Sequence, residues 1–590
     1  MLAYLPVVLF ISLGWFLNEP VLLLANAVFS FAVVLYGLIQ PTAKWIKGFP
    51  QGLLFAIVFL LSFSMFINDV QWSQGLTGIY QRNSGVLFWF SLSLLFAYST
   101  SGLIAPKVFI TFSLPILIVF VAAYGLLQYF DIDPYPWSDP FDAVQLTLGN
   151  PNFSGALIGM LSVIPLGVLT IYKSLIGKAI ALSSLVILVL LALGTKSLQS
   201  FVVMAISTVM FLLIQFSKSN DSKIKVFKRL TLLFGIFVLL IVPTLMFSKF
   251  EFLSTFKERF YFQGSVTQRL DYWRTGLQIF RDNPLFGVGP DQFQRFAALY
   301  RTKEQVIREG AFTIPDKAHS VPIDLLANGG FMAGVLWIVF VGYIFRKLYI
   351  ASHLELSTRA RVQLSIVGAI WSGYVFQALI SPDHLILAVL GFTSAGLIIF
   401  LGASTVRTVV KKSRRDFILN DPIYIRTILI SVLSVAVVVW SQAISADIDA
   451  KRILSNEKIS RESVLDAVNK WPTPKTTELI AVAVYGADSS CDVLDDLANR
   501  LIEVDDRSAQ GWYFKAICLN LDRKFDEALS ASENSLRFDP INPTYLLAKA
   551  KLGIASGNKG AATDALLSIK SNYPDNPEIQ LLESSISLLP

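Results

Sequence analysis

Through the first 444 residues, apolar positions come in long unbroken runs rather than on one face of a helix. Examples are "AYLPVVLFISLGWFL", "VLLLANAVFSFAVVLYGLI", "GLLFAIVFLLSFSMFI" and, last, "ILISVLSVAVVVWSQAI" at 428–444. Runs of roughly 17 to 22 residues match the length a helix needs to cross about 30 Å of hydrocarbon, and about 13 such spans are counted. A pore-forming barrel would alternate polar and apolar positions instead. The pattern predicts an all-α, polytopic membrane domain with about 12 to 13 transmembrane helices over 1–444. The first run has no Lys or Arg before it and no small-residue cleavage site after it, so it reads as a retained helix rather than a signal peptide.

Past residue 445 the runs stop and charged amphipathic helices begin, which marks a second domain over 445–590. A period of 34 residues appears there: Lys515 and Ala516 return as Lys549 and Ala550, Ala528 returns as Ala562, and "PINP" at 540–543 returns as "PDNP" at 574–577. Small residues where two helices cross, with Pro after the second, are the pattern of tetratricopeptide repeats. A more degenerate unit covers 476–506. An irregular helical bundle is the competing reading. Repeats of this kind bind a protein partner or position other elements and seldom carry chemistry.

Composition agrees with the pattern: 54% hydrophobic residues, 15% charged and a mean hydropathy of +0.59. Charge adds orientation, because Lys and Arg in short loops stay on the cytoplasmic side. One set of alternate loops holds Lys44, Lys47, Lys107, Lys173, Lys178, the cluster Lys218 to Arg229, then Arg346, Lys347, Arg359, Arg361 and the cluster Arg407 to Arg426; the opposite short loops hold Arg82 and Lys196. The amino terminus is therefore expected inside. The carboxyl-terminal domain and a long loop over 248–318 are then expected on the extracytoplasmic side. The net charge of +7 belongs mainly to loops facing anionic lipid and gives no case for nucleic acid. Both cysteines, Cys491 and Cys518, lie in the outer domain, where a disulfide and two free thiols are both compatible with the spacing. No His/Cys cluster suggests a metal.

Candidate chemistry concentrates in the long loop. It carries Arg269, Arg274 and Arg281 among many basic residues, and Arg grips phosphate oxygens with a planar fork. A solvated helix with paired charges is the plainer account of any one of them. "GVGPDQ" lacks a third glycine and a preceding strand, so it reads as a turn rather than a dinucleotide fingerprint. His319 immediately precedes "SVPIDLLANGGFMAGVLWIVFVGYIF", a span with Pro322 in its first turn. A helix amino terminus lowers the pKa of an imidazole and attracts anions. The alternative for His319 is a ring that merely anchors the helix at the headgroups. Asp383, in "ISPDHL", suits a substrate hydroxyl or holds a ring, and Asn150 and Asn152 in "GNPNF" suit sugar hydroxyls or a simple Asn-Pro helix start.

The run "QRLDYWRTGLQIFRDNPLFGVGPDQF", followed by "AHSVPIDLLANGGFMAGVL", resembles the signature of the O-antigen ligase superfamily, which includes O-antigen ligases, O-antigen polymerases and protein O-oligosaccharyltransferases. The resemblance implies a GT-C-like membrane glycosyltransferase that takes a glycan from a polyprenyl (undecaprenyl) diphosphate carrier and transfers it to an acceptor hydroxyl outside the bacterial cytoplasmic membrane. It also implies metal-independent chemistry without a cofactor. On that resemblance Arg269 contacts the diphosphate, His319 is general base or acceptor-orienting residue, and Trp273 packs beside them. Ser320 stands where many members have Asn, and "GTKSLQS" stands where many have Thr-x-Ser-Arg, so Lys196 or Gln199 takes that arginine's place. A polymerase of the same class, and outside the class a lipid-linked glycan transporter or a membrane-anchored repeat scaffold, are the rival readings. A transporter would show internal duplication and charges within spans, and neither is found.

Overall fold

The computed structural model describes residues 5–6, 22–40, 48–80, 82–135, 142–217, 262–407, 422–454, 460–487 and 491–590. Most of the first predicted span, the basic cluster from Lys218 to Arg229, the start of the long loop including Lys249, Lys257 and Arg259, and most of the cluster after Arg407 lie outside the described residues. Every regular element among those described is helical. Among the described residues ten helices are long and apolar enough to cross a membrane, and Val86–Ser101 is a shorter apolar one. The protein is a polytopic α-helical membrane protein.

Its centre is built from side chains that hydropathy alone leaves unordered. Phe340, Trp371, Tyr374 and Phe392 are buried and meet edge to face or stacked, with Phe340 5.9 Å from Trp371 and 5.8 Å from Phe392. Helix Leu175–Gly194 instead turns Leu175, Ile176, Ile180, Leu182 and Val186 outward, a surface suited to lipid. Serine and threonine hydroxyls within the spans return to carbonyls of their own helix, as Ser91 does to Leu87 and Ser372 to Gly368, at 2.8 Å each.

Helix Val321–Ser352 departs from the single straight span expected. At Gly330 the backbone turns to φ 75°, ψ −174°, and the helix is interrupted. The "NPLFGVG" turn fills the break. Val288 donates its N–H to the Ala327 carbonyl and Gly289 to Asn328, each at 2.9 Å, while Phe331 donates to Pro284 at 2.8 Å. Ser64, on helix Phe49–Ile67, donates its hydroxyl to the Phe286 carbonyl at 2.6 Å. Backbone groups released by the break are therefore paired, as a low-dielectric setting requires. A Cβ at Gly330 would meet the Leu285 carbonyl, and φ is positive there. Gly330→Ala is expected to lower stability by more than about 1 kcal/mol, read as an earlier thermal melt in detergent; an unchanged melt would contradict the account of the break.

Helix Pro422–Leu454 runs unbroken past residue 445, and Ala450 and Ile453 at its end join the core of the following helices. Beyond it, helices Ala509–Leu521 and Pro543–Ala555 begin 34 residues apart, as do Phe525–Phe538 and Lys559–Asn572. Ala516, Ala528, Ala550 and Ala562 are buried at these helix crossings. Cys491 and Cys518, whose pairing the spacing left open, form a disulfide with Cα atoms 5.4 Å apart. These carboxyl-terminal helices are fastened to the loops of the membrane-spanning bundle. Trp471 meets Trp72 edge to face at 4.8 Å, Ser73 donates to the Pro472 carbonyl, and Arg295 pairs with Asp505 and Asp506.

Candidate functional site

One end of the helical bundle gathers the loops that the charge pattern assigned to a common side. Their polar groups converge on the start of helix Val321–Ser352. Ser320 is its N-cap residue but makes no side-chain cap; instead Asp324 accepts the Ala318 N–H at 2.7 Å and ties the preceding loop to the helix. That tie leaves His319 at φ 52°, a left-handed conformation that is uncommon for a residue other than glycine. The Trp273 indole donates to the His319 carbonyl at 3.3 Å, and the Tyr272 ring stands edge-on to the imidazole at 5.0 Å.

Two guanidinium groups lie near enough to act on this ring electrostatically. Arg82 pairs with Asp316 through Nε at 2.5 Å and lies 6.0 Å from the centre of the Phe153 ring. Arg269 donates to the Gln199 side-chain oxygen at 3.3 Å, which also accepts from the Ser381 hydroxyl at 3.1 Å. No carboxylate among the described residues pairs with Arg269. Burial accordingly draws its pKa down to about 10. Burial would raise the Asp316 carboxyl, but Arg82 outweighs it and holds that group at about 2. For His319 burial is the main cause of a pKa near 3; Arg82 and Arg269 push the same way and Asp316 opposes them. The expected direction is found, with burial rather than the helix end as its chief source.

Near the start of helix Val321–Ser352 lies a small cavity whose polar lining is Ser84, Asp291, Lys317, Asp324, Asn328 and Asp383 and whose apolar lining includes Leu61, Trp89 and Val321. Lys317 pairs with Asp291, and the Asp291 carboxylate also accepts the Ile79 N–H at 3.0 Å and the Ser84 hydroxyl at 3.2 Å. This joins the 78–84 loop to the "GVGPDQ" turn. Burial pushes Asp383 up to about 7, although the Tyr374 hydroxyl donates to it at 3.1 Å. His384 packs on Phe153 at 4.8 Å, and burial draws it down to about 3. Two buried polar atoms here have no partner among the described residues, His384 Nδ1 and Gln199 Nε2. Such groups are costly unless a ligand or water completes them.

The predicted site residues thus divide. His319, Arg269 and Gln199 are brought together, and Asp383 borders the cavity beside them. Arg274 and Arg281 lie on the exposed stripe of helix Phe262–Asp282 with Leu270 and Leu277, and Arg281 pairs with Asp282 at 3.2 Å. Lys196 reaches the exposed Asp142 at 3.0 Å, so Gln199 is the member of "GTKSLQS" that faces Arg269. Asn150 caps helix Pro151–Leu161 by accepting the Asn152 N–H, while Asn152 accepts from Ser197 at 2.7 Å. Sequence reasoning missed Arg82, Tyr272 and the Lys317–Asp291 pair. Arg82 did carry a signal: with Lys196 it is an exception to the charge asymmetry of the short loops.

The low values of His319 and His384 predict a spectroscopic result. Both imidazoles stay neutral at pH 5, so 15N spectra of histidine-labelled protein should show two neutral rings there; protonated signals for both would refute the burial argument. The unfolded chain takes up these protons below about pH 6.5 and the folded chain only near 3. Stability therefore falls as pH drops through that window.

A family model described as O-antigen ligase matches residues 181–338. The matched range contains Gln199, Arg269 and His319 and leaves out Arg82, Asp383 and the helices after residue 454. No curated protein matches the chain. Over the matched range this membrane protein is similar to a glycan-transferring ligase family.

Proposed function

We propose that the chain is a membrane glycosyltransferase that moves a glycan from a polyprenyl diphosphate to an acceptor hydroxyl on a glycan, lipid or protein, at the extracytoplasmic face of a bacterial cytoplasmic membrane. The observation that carries this reading is an imidazole kept neutral near two partly buried guanidinium groups, only one of which has a carboxylate partner among the described residues. An excess of fixed positive charge in a desolvated setting suits a diphosphate. Arg269 contacts the diphosphate, with Arg82 adding charge. Arg274 and Arg281, on the exposed stripe, meet headgroups or the carrier's approach.

In the reaction the acceptor oxygen attacks the anomeric carbon as the bond to the diphosphate oxygen breaks. His319 takes the hydroxyl proton, and the leaving diphosphate keeps its electron pair against the guanidinium groups. Direct attack inverts the anomeric centre. Gln199, Asn152 and Asp383 are placed to hold sugar hydroxyls, with Asn150 and Lys196 shaping the neighbouring turns. The chain's own residues supply these roles without a metal or cofactor. A tetratricopeptide-like domain on the same outer side accords with the Cys491–Cys518 disulfide, since such bonds persist in oxidising compartments.

Purified protein incubated with a polyprenyl diphosphate glycan and candidate acceptors should give a product one glycan heavier by mass analysis, with release of polyprenyl diphosphate. Growth of the lipid-linked glycan itself would instead identify a polymerase. Absence of either product across donors would overturn the reading. A reporter fused after Pro590 should be active only outside the membrane.

A further inference from the structure

The loop that ends at His319 is held at both ends, and the two grips come from different domains. Near His319, Asp316 pairs with Arg82, Lys317 pairs with Asp291, and Ala318 donates to Asp324. At the other end the grip includes the repeat domain. Arg301 donates to the Ala311 carbonyl at 3.0 Å and to the Thr313 carbonyl at 3.1 Å, and its charge is met by Asp539. Both side chains of that pair are fully buried. Asn542 donates to the Ala311 carbonyl at 3.0 Å and to Asp539 at 2.9 Å, and Phe312 stands edge-on to Tyr545 at 6.0 Å. Asp539 and Asn542 belong to the "DPIN" turn that separates the two 34-residue units.

These contacts suit positioning better than mere attachment. A buried ion pair adds little net stability over an apolar contact of the same size, but it does constrain geometry. The guanidinium fork divides its donors between a carboxylate and two loop carbonyls, so it fixes the path of the main chain whatever side chains the loop carries. The need is visible in His319 itself. A left-handed φ at a histidine persists only where the surroundings over-determine it, and the clamp on 311–313 adds to the ties at 316–318 in supplying that constraint.

We propose that the Asp539–Asn542 turn of the repeat domain is a positioning element for His319, acting through Arg301 and the Ala311 carbonyl to hold the 311–319 loop. The catalytic arrangement is then completed by the second domain. The inference rests on the transfer role given to His319, and its test is chosen to stand apart from that role.

The full-length protein in detergent or nanodiscs is compared with Asn542→Ser and Asp539→Asn by hydrogen exchange and by steady-state kinetics. Serine keeps an oxygen able to cap helix Pro543–Ala555, as Asn542 does for Thr544 N–H, but is too short to reach Ala311. In Asn542→Ser the amides of 311–319 should exchange at least about tenfold faster while the repeat helices keep their protection. Turnover should fall by up to about 10²-fold with little change in donor KM. Unchanged exchange over 311–319 would overturn the proposal. If Asp539→Asn loses protection throughout the repeats, the buried pair is needed for folding, and Asn542→Ser decides. If the wild type transfers no glycan, the proposed function fails while the exchange result still reports the clamp.

Discussion

His319→Ala is expected to reduce glycan transfer by about 10²- to 10⁴-fold, the range typical of losing a general base, while the protein still inserts and folds. The reasons are structural. The indole contact goes to the His319 carbonyl, and the loop is tied by Asp316, Lys317 and Ala318, so removing the ring leaves those ties in place. The ring itself is neutral at physiological pH because burial and two arginines oppose its protonation. An anionic diphosphate against the two arginines would raise the ring's pKa towards the range of a working base. The imidazole can then accept the acceptor's proton as the new bond forms, whereas glutamine of similar size cannot. His319→Gln should therefore be nearly as impaired as His319→Ala. Transfer at the wild-type rate in both variants would remove His319 from the chemistry.

Arg269→Ala is expected to have the second large effect, a loss of about 10²- to 10³-fold in transfer together with weaker donor binding. Its guanidinium is partly buried beside Gln199 with no carboxylate partner among the described residues, and loss of water draws its pKa to about 10. An unpaired buried charge is a cost in the free protein, and an anionic ligand would relieve it. Two melts in detergent separate ligand binding from a structural role. Without donor, Arg269→Ala should melt no earlier than the wild type; with donor, the wild type should gain stability by mass action and the variant should gain little. An early melt of the free variant, with the donor's stabilisation retained, would mark Arg269 as structural. Arg269→Lys keeps a charge but loses the planar fork, so it should rescue only a small part of transfer.

The class of the protein, the start of the helix behind His319 and the 34-residue spacing of the carboxyl-terminal helices were legible from the chain because each depends on residues near one another in sequence. Hydropathy over one span, Pro322 in a first turn, and small residues at helix crossings are local signals. The motif that singled out His319 and Arg269 is also local. What the fold alone decided is which side chains meet across long separations. Arg82 reaches Asp316 over 234 positions, Asp291 gathers a loop more than 200 residues earlier, and Gln199 rather than Lys196 turns toward Arg269. The break at Gly330 was hidden too, because a glycine pair within an apolar run fits a continuous helix unless the "NPLFGVG" turn is known to dock there. Apolar patterning reports only that a segment is buried in protein or lipid. The choice of partners within that burial comes from pairing every desolvated charge and backbone group, and only the assembled tertiary structure settles which pairs can be made.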